Sequence, residues 1–141
     1  MKFWDSSAII PLCIDEPQTR GVREIAVDDG SMAVWWGTPV ECYSAFARLR
    51  REGGVSTDEE DALRELLAIL AQAWTEIEPS EEIRTITGRL LLNHPLRAAD
   101  SLQLAAALVW AGRLPKGHHF VCLDQRLREA ARKEGFFVVP G

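Results

Sequence analysis

The chain has 141 residues, enough for one domain with a sizeable core. Its hydrophobic fraction of 47% and charged fraction of 26% are ordinary for a globular protein, and no run approaches the roughly 20 apolar residues that span a bilayer. A net charge of −5 argues against generic nucleic-acid binding, which normally shows a basic balance, whereas carboxylates gathered in one place bind hard divalent cations. We therefore expect a single domain over residues 1–141, and, with no signal-peptide pattern at the N-terminus, a cytoplasmic location. Cys13, Cys42 and Cys122 are widely spaced within apolar segments and form no C-x-x-C pair, so all three read as reduced core residues.

Taken in order, Lys2 to Asp5 reads as a short buried strand ending on a carboxylate. A helix opens on Ser6 and Ser7 and runs to Asp15, closed by Pro17. Gln18 to Asp28 is a second helix, ended by Asp29-Gly30. Met32 to Trp35 is a strand, and Trp36-Gly-Thr-Pro39 turns the chain into a helix from Pro39 to Glu52. Ser56-Thr57 starts the next helix, with Glu60 expected to complete a capping box on Thr57. Trp74 to Glu78 alternates as a short strand, and Ser80 to Leu92 returns to helical spacing. Leu96 to Trp110 is a strong Ala- and Leu-rich helix, Phe120 to Leu123 a strand, Asp124 to Glu134 a helix, and Phe136 to Val139 a last strand. Strands alternating with helices predict an α/β domain with a mostly parallel sheet of about five strands.

In such a sheet the strand C-termini and the following helix N-termini share one edge, where ligands bind. Asp5 and Asp124 each end a strand, and Glu41 lies in the first turn of the helix after Met32–Trp35. Each also has a simpler explanation. Asp5 and Asp124 are good N-caps, and Thr38-Pro-Val-Glu41 is a good capping box. For Asp5, Ser6 or Ser7 can take over the cap and leave its carboxylate free. Asp100 resists that account. Leu96, Leu104, Ala107 and Leu108 share its helix face, where an ionised carboxylate is costly unless it is paired, with Arg97 the nearby partner, or bound to a cation.

The basic clusters Arg48-Leu-Arg-Arg51 and Arg126-Leu-Arg128 with Arg132-Lys133 read as solvated helix faces. His94, His118 and His119 lack zinc spacing and read as structural. No nucleophile elbow, Cys–His signature or phosphate-binding glycine loop is present. A receiver domain would show paired acids after the first strand, and a phosphatase loop a second Asp where Ser7 stands.

Four short stretches together resemble a known family: Phe3-Trp-Asp-Ser-Ser-Ala8, Pro39-Val-Glu41, Arg97-Ala-Ala-Asp-Ser-Leu-Gln-Leu-Ala105, and Val121-Cys-Leu-Asp124 before Arg126-Leu. In this order and at these intervals the chain resembles PIN-domain proteins, specifically the VapC-type ribonuclease toxins of toxin–antitoxin modules. The resemblance implies a three-layer α/β/α PIN-like domain and an acidic Mg²⁺ or Mn²⁺ site at Asp5, Glu41, Asp100 and Asp124. It further implies an RNA substrate, a homodimer, and a cognate antitoxin that inserts a segment into the active-site groove. One departure is Cys122, where many members carry threonine or serine, so a hydroxyl contact near the site is in doubt. Within that resemblance Asp5 and Asp100 are the expected direct metal ligands. Glu41 and Asp124 would bind a second ion or hold waters, with Ser6 in support. Competing readings are a non-catalytic protein-binding module on the same fold and a solitary RNA-processing PIN nuclease.

Overall fold

Apolar spacing alternates along the chain between two-residue and helical periods, and the secondary structure follows it. The computed structural model describes residues 1–141. The elements are β1 (Lys2–Trp4), α1 (Ser6–Cys13), α2 (Thr19–Asp29), β2 (Met32–Trp35), α3 (Thr38–Arg51), α4 (Thr57–Ala71), β3 (Thr75–Ile77), α5 (Glu81–Asn93), α6 (Ala98–Trp110), β4 (His119–Val121), α7 (Gln125–Glu134) and β5 (Phe137–Val139).

The five strands form one all-parallel sheet in the order β3-β2-β1-β4-β5. From β1 the chain steps outward through β2 and β3, then crosses back to lay β4 on the other side of β1. The order reverses between β1 and β4. Crossovers leave these two strands in opposite directions there, so a crevice opens beyond their C-terminal ends.

Side chains alternate across the pleat, so each strand supplies both faces of the sheet. Phe3, Ala33, Phe120 and Val138 pack under buried residues of α5, α6 and α7. Trp4, Val34 and Val121 face the opposite way, into a core shared with α1, α2, α3 and α4. The result is a three-layer α/β/α sandwich. The helix α6 is nearly all core: Leu104, Ala105, Ala106 and Ala107 are fully buried.

Several ends differ from the sequence reading. The box before α4 is one residue earlier than expected: the Glu59 backbone N–H donates to Ser56 Oγ and the Ser56 N–H to Glu59 Oε1. Glu60 is thereby released, and it accepts from Arg50 Nε at 2.6 Å, joining α4 to α3. The helix α6 begins at Ala98 rather than Leu96, because the Leu96 N–H turns back to His94 O at 2.9 Å across Pro95 and Arg97 is extended, at φ −81°, ψ 164°. That shift puts Asp100 in the first turn.

Candidate active site

Asp5 directly follows β1, and its backbone N–H donates to Val121 O at 3.0 Å, extending the β1–β4 ladder by one rung. Its side chain is the N-cap of α1, accepting from the Ser7 N–H at 3.1 Å and from Ser7 Oγ. The expectation that a serine would take over the cap is therefore incorrect. The reason is geometric: Asp5 is the last extended residue, the position from which a side chain reaches the open N–H groups. Only Oδ2 is used in this way, and Oδ1 has no hydrogen-bond partner. Ser7 Oγ also accepts from the Leu123 N–H at 2.9 Å, so one hydroxyl ties the start of α1 to the chain leaving β4.

Glu41 is not spent on a capping box. Gly37, not Thr38, is the N-cap of α3, and it offers no side chain. A Cβ at Gly37 would collide with the Trp35 indole, so the tight entry into α3 requires glycine. The Glu41 carboxylate turns inward instead. Its Oε1 accepts from Ser6 Oγ at 3.2 Å and its Oε2 from Gln103 Nε2 at 2.6 Å. Asp124 does cap α7, with Oδ1 accepting from the Leu127 N–H at 3.0 Å.

Asp100 departs from expectation. It is half-buried rather than a core charge, because the first turn of α6 projects beyond the packed part of the helix that carries Leu104, Ala107 and Leu108. Arg97 forms no salt bridge with it, although its backbone N–H and charge lie near enough to favour the ionised form.

Glu41, Asp100 and Asp124 line one open groove of about 550 Å³, together with Ser6, Arg48, Arg97 and Arg126. Asp5 lies beneath the floor, 3% exposed. The four carboxylates act on one another. Burial, with a contribution from Asp100 and against the Ser7 hydrogen bonds, pushes Asp5 up to about 6. Burial and the Asp5 charge push Glu41 up to about 7, even with Gln103 and Ser6 donating to it. Burial and the Asp124 charge raise Asp100 above the usual carboxylate range. Elevated carboxylates gathered in a cleft are a mark of functional sites.

No three carboxylate, imidazole or thiol groups converge closely enough to form a preassembled ion cage. The donor set nonetheless suits a hard cation: it is all oxygen, and none of the four acids is in a salt bridge. Cys122 lies fully buried behind Asp5, its thiol 3.5 Å from Asp5 Oδ2 and its ionisation suppressed mainly by burial. The hydroxyl in contact with Asp5 comes from Ser7 instead.

The basic clusters divide in a way the sequence reading missed. Arg48 and Arg126 line the groove, and neither has a carboxylate within ion-pair distance. Arg128 does not lie on a solvated face. It is buried, and its guanidinium donates to Cys122 O and Pro140 O, bracing the end of β4 against the C-terminal segment. The histidines stay outside the groove: His94 bonds Glu134 at 2.7 Å beside Arg89, and the His118 ring meets Trp110 edge-on. Gln103 was also overlooked, although a lone amide in the buried Ala- and Leu-rich part of α6 is itself a signal.

No family model matches the chain, and no curated protein sequence does either. Among solved structures it is similar to a chain of a toxin–antitoxin complex from Klebsiella pneumoniae, with 13% identity over 89% of this chain and 88% of that one and a TM-score of 0.62. It is also similar to a chain of FitAcB from Neisseria gonorrhoeae, with 17% identity over 98% and 96% of the two chains and a TM-score of 0.63. At these identities the likeness is one of fold, and the chain folds as a three-layer, PIN-like α/β/α domain around an all-parallel five-stranded sheet.

Proposed function

We propose that this chain is a metal-dependent endoribonuclease, the toxin of a toxin–antitoxin pair. The observation that carries this reading is the groove at the sheet's reversal point. Three carboxylates line it and a fourth lies beneath, none paired to a cation, while three arginines without carboxylate partners stand around them. An acidic centre in a basic rim suits a phosphodiester reached through a bound divalent ion. The similarity of fold to a chain of a toxin–antitoxin complex supports the toxin role and with it a cognate antitoxin partner; the homodimer rests on the family resemblance alone.

Asp5 Oδ1 and Asp100 would hold Mg²⁺ or Mn²⁺ directly, and Glu41 and Asp124 would hold a second ion or coordinated water. When bound, the ion supplies Lewis-acid polarisation of the phosphodiester and eases deprotonation of an attacking water. Ser6 and Gln103 keep the Glu41 carboxylate aimed at the groove. Arg48, Arg97 and Arg126 bind flanking phosphates and set the strand's path. Unpaired RNA is the expected target, because its backbone and bases are open to such a groove.

The spread of the four acids, with no three converging, favours a second reading in which the fold serves protein binding without catalysis. Incubating single-stranded RNA with the protein and Mn²⁺ separates the two. Cleavage that chelator abolishes, and that Asp5→Asn and Asp100→Asn each remove, is expected. Full cleavage by either folded variant would refute the site assignment. Intact RNA, together with no Mn²⁺ uptake by the wild-type protein, would favour the binding module.

A further inference from the structure

The fully buried Gln103 reaches from α6 to the first turn of α3, across 62 residues of sequence. Its Nε2 donates to Glu41 Oε2 at 2.6 Å and to Thr38 Oγ1 at 3.0 Å, so the amide is pinned at two points. Its Oε1 is buried with no partner at all. The ionised carboxylate that a cation needs can only accept, so in that form the amide turns its nitrogen toward Glu41, and its oxygen is left unsatisfied as a consequence. Buried acceptors without partners are uncommon and costly, so this amide is committed to orienting Glu41 at the expense of its own other end.

We propose that Gln103 is a positioning residue that sets the Glu41 carboxylate for cation binding; this rests on the metal-site reading above. With Ser6 Oγ on the other oxygen, each Glu41 oxygen has one donor and the carboxylate plane is fixed. The choice of an amide matters. A lysine or arginine at this place would hold Glu41 equally well but would cancel the charge that attracts a cation. Glutamine orients the group and leaves its charge intact. Gln103 also lies three residues after Asp100 on α6, so one helix face presents a ligand and the donor that aligns a second acid from another helix.

The experiment is a Mn²⁺ titration followed by the electron-spin-resonance signal of free Mn²⁺, with folding checked by circular dichroism. It compares the wild type, Gln103→Met, Glu41→Gln and the double variant. Methionine matches the volume and removes the donor. Loss of a residue that orients a metal ligand typically weakens metal binding by about 10- to 100-fold, and a loss in that range is expected for Gln103→Met. In the Glu41→Gln background the same substitution is expected to change affinity by less than about twofold, because Gln103 then has no carboxylate to orient. Wild-type affinity in Gln103→Met, or an equal loss in both backgrounds, would overturn the proposal. Should Gln103→Met fail to fold, Thr38→Val removes the second anchor of the amide and should weaken Mn²⁺ binding in the same direction. Unchanged affinity there would overturn the proposal as well. A wild-type protein that takes up no Mn²⁺ would instead refute the underlying metal-site reading.

Discussion

The arginine rim yields a quantitative prediction about salt. Arg48, Arg97 and Arg126 line the groove, are exposed, and have no carboxylate partner to compete with a phosphate. If each neutralises one phosphate of a single strand, log affinity should fall with log salt with a slope of about −0.7 for each contact, or about −2 for three. Raising salt from about 50 to about 200 mM then weakens binding by roughly twentyfold. Arg97→Gln should bring the slope to about −1.4 and the loss to roughly sevenfold, whatever the RNA sequence, because phosphate contacts carry no base information. Fluorescence anisotropy of a labelled single-stranded RNA on the Asp100→Asn variant measures this without cleavage. Arg132→Gln is the control, since Arg132 is exposed and free of ion pairs but does not line the groove. An unchanged slope in Arg97→Gln, or an equal drop in Arg132→Gln, would refute the assignment of the rim to phosphate binding.

Two further predictions concern the acids and their supports. Because Asp5 and Glu41 are pushed up to about 6 and about 7, their folded pKa values exceed the unfolded ones, and the stability they contribute is complete below about pH 4 and lost as pH rises through 6 to 7. In metal-free protein, Glu41→Gln should remove roughly 2 kcal/mol of that decline, allowing for partial exposure, and Mn²⁺ should offset it in the wild type. Urea unfolding at pH 5 and pH 7.5 tests this, and an undiminished decline in Glu41→Gln would contradict it. Ser7→Ala strips the hydroxyl from both Asp5 and the Leu123 N–H, and leaving a part-buried donor unpaired should cost about 1–3 kcal/mol. A Tm equal to wild type would show that water replaces the hydroxyl at no cost.

Much of this architecture was legible from local pattern. All five strands and seven helices fall within a residue or two of where apolar spacing and Gly or Pro punctuation put them, because those signals are local. Asp124 at the groove and Asp5 beneath its floor were legible for the same reason: a carboxylate at a strand end is placed by topology alone. Glu41 was harder. Its capping-box spacing is real, but the close approach of Gly37 to Trp35 moves the cap back one residue and frees the carboxylate. Asp100 was placed correctly in sequence, yet its burial was overstated, since the helix start depends on how the chain leaves Pro95. Gln103, Ser7 and the division of the arginines depend on contacts between elements distant in sequence. Periodicity along one segment holds no record of them.

The Ser7 hydroxyl and the extra rung from Asp5 to Val121 have a consequence for motion. The floor of the groove is stitched into the seam between β1, the central strand of the sheet, and its neighbour β4, the pair that flanks the reversal point. Exposing the Asp5 amide to exchange with solvent therefore requires that seam to part, an event close to global unfolding rather than a local breath. The floor is thus among the last parts of the molecule to loosen. The long, unpaired arginine side chains above it can change rotamer in nanoseconds while the carboxylates below stay in register.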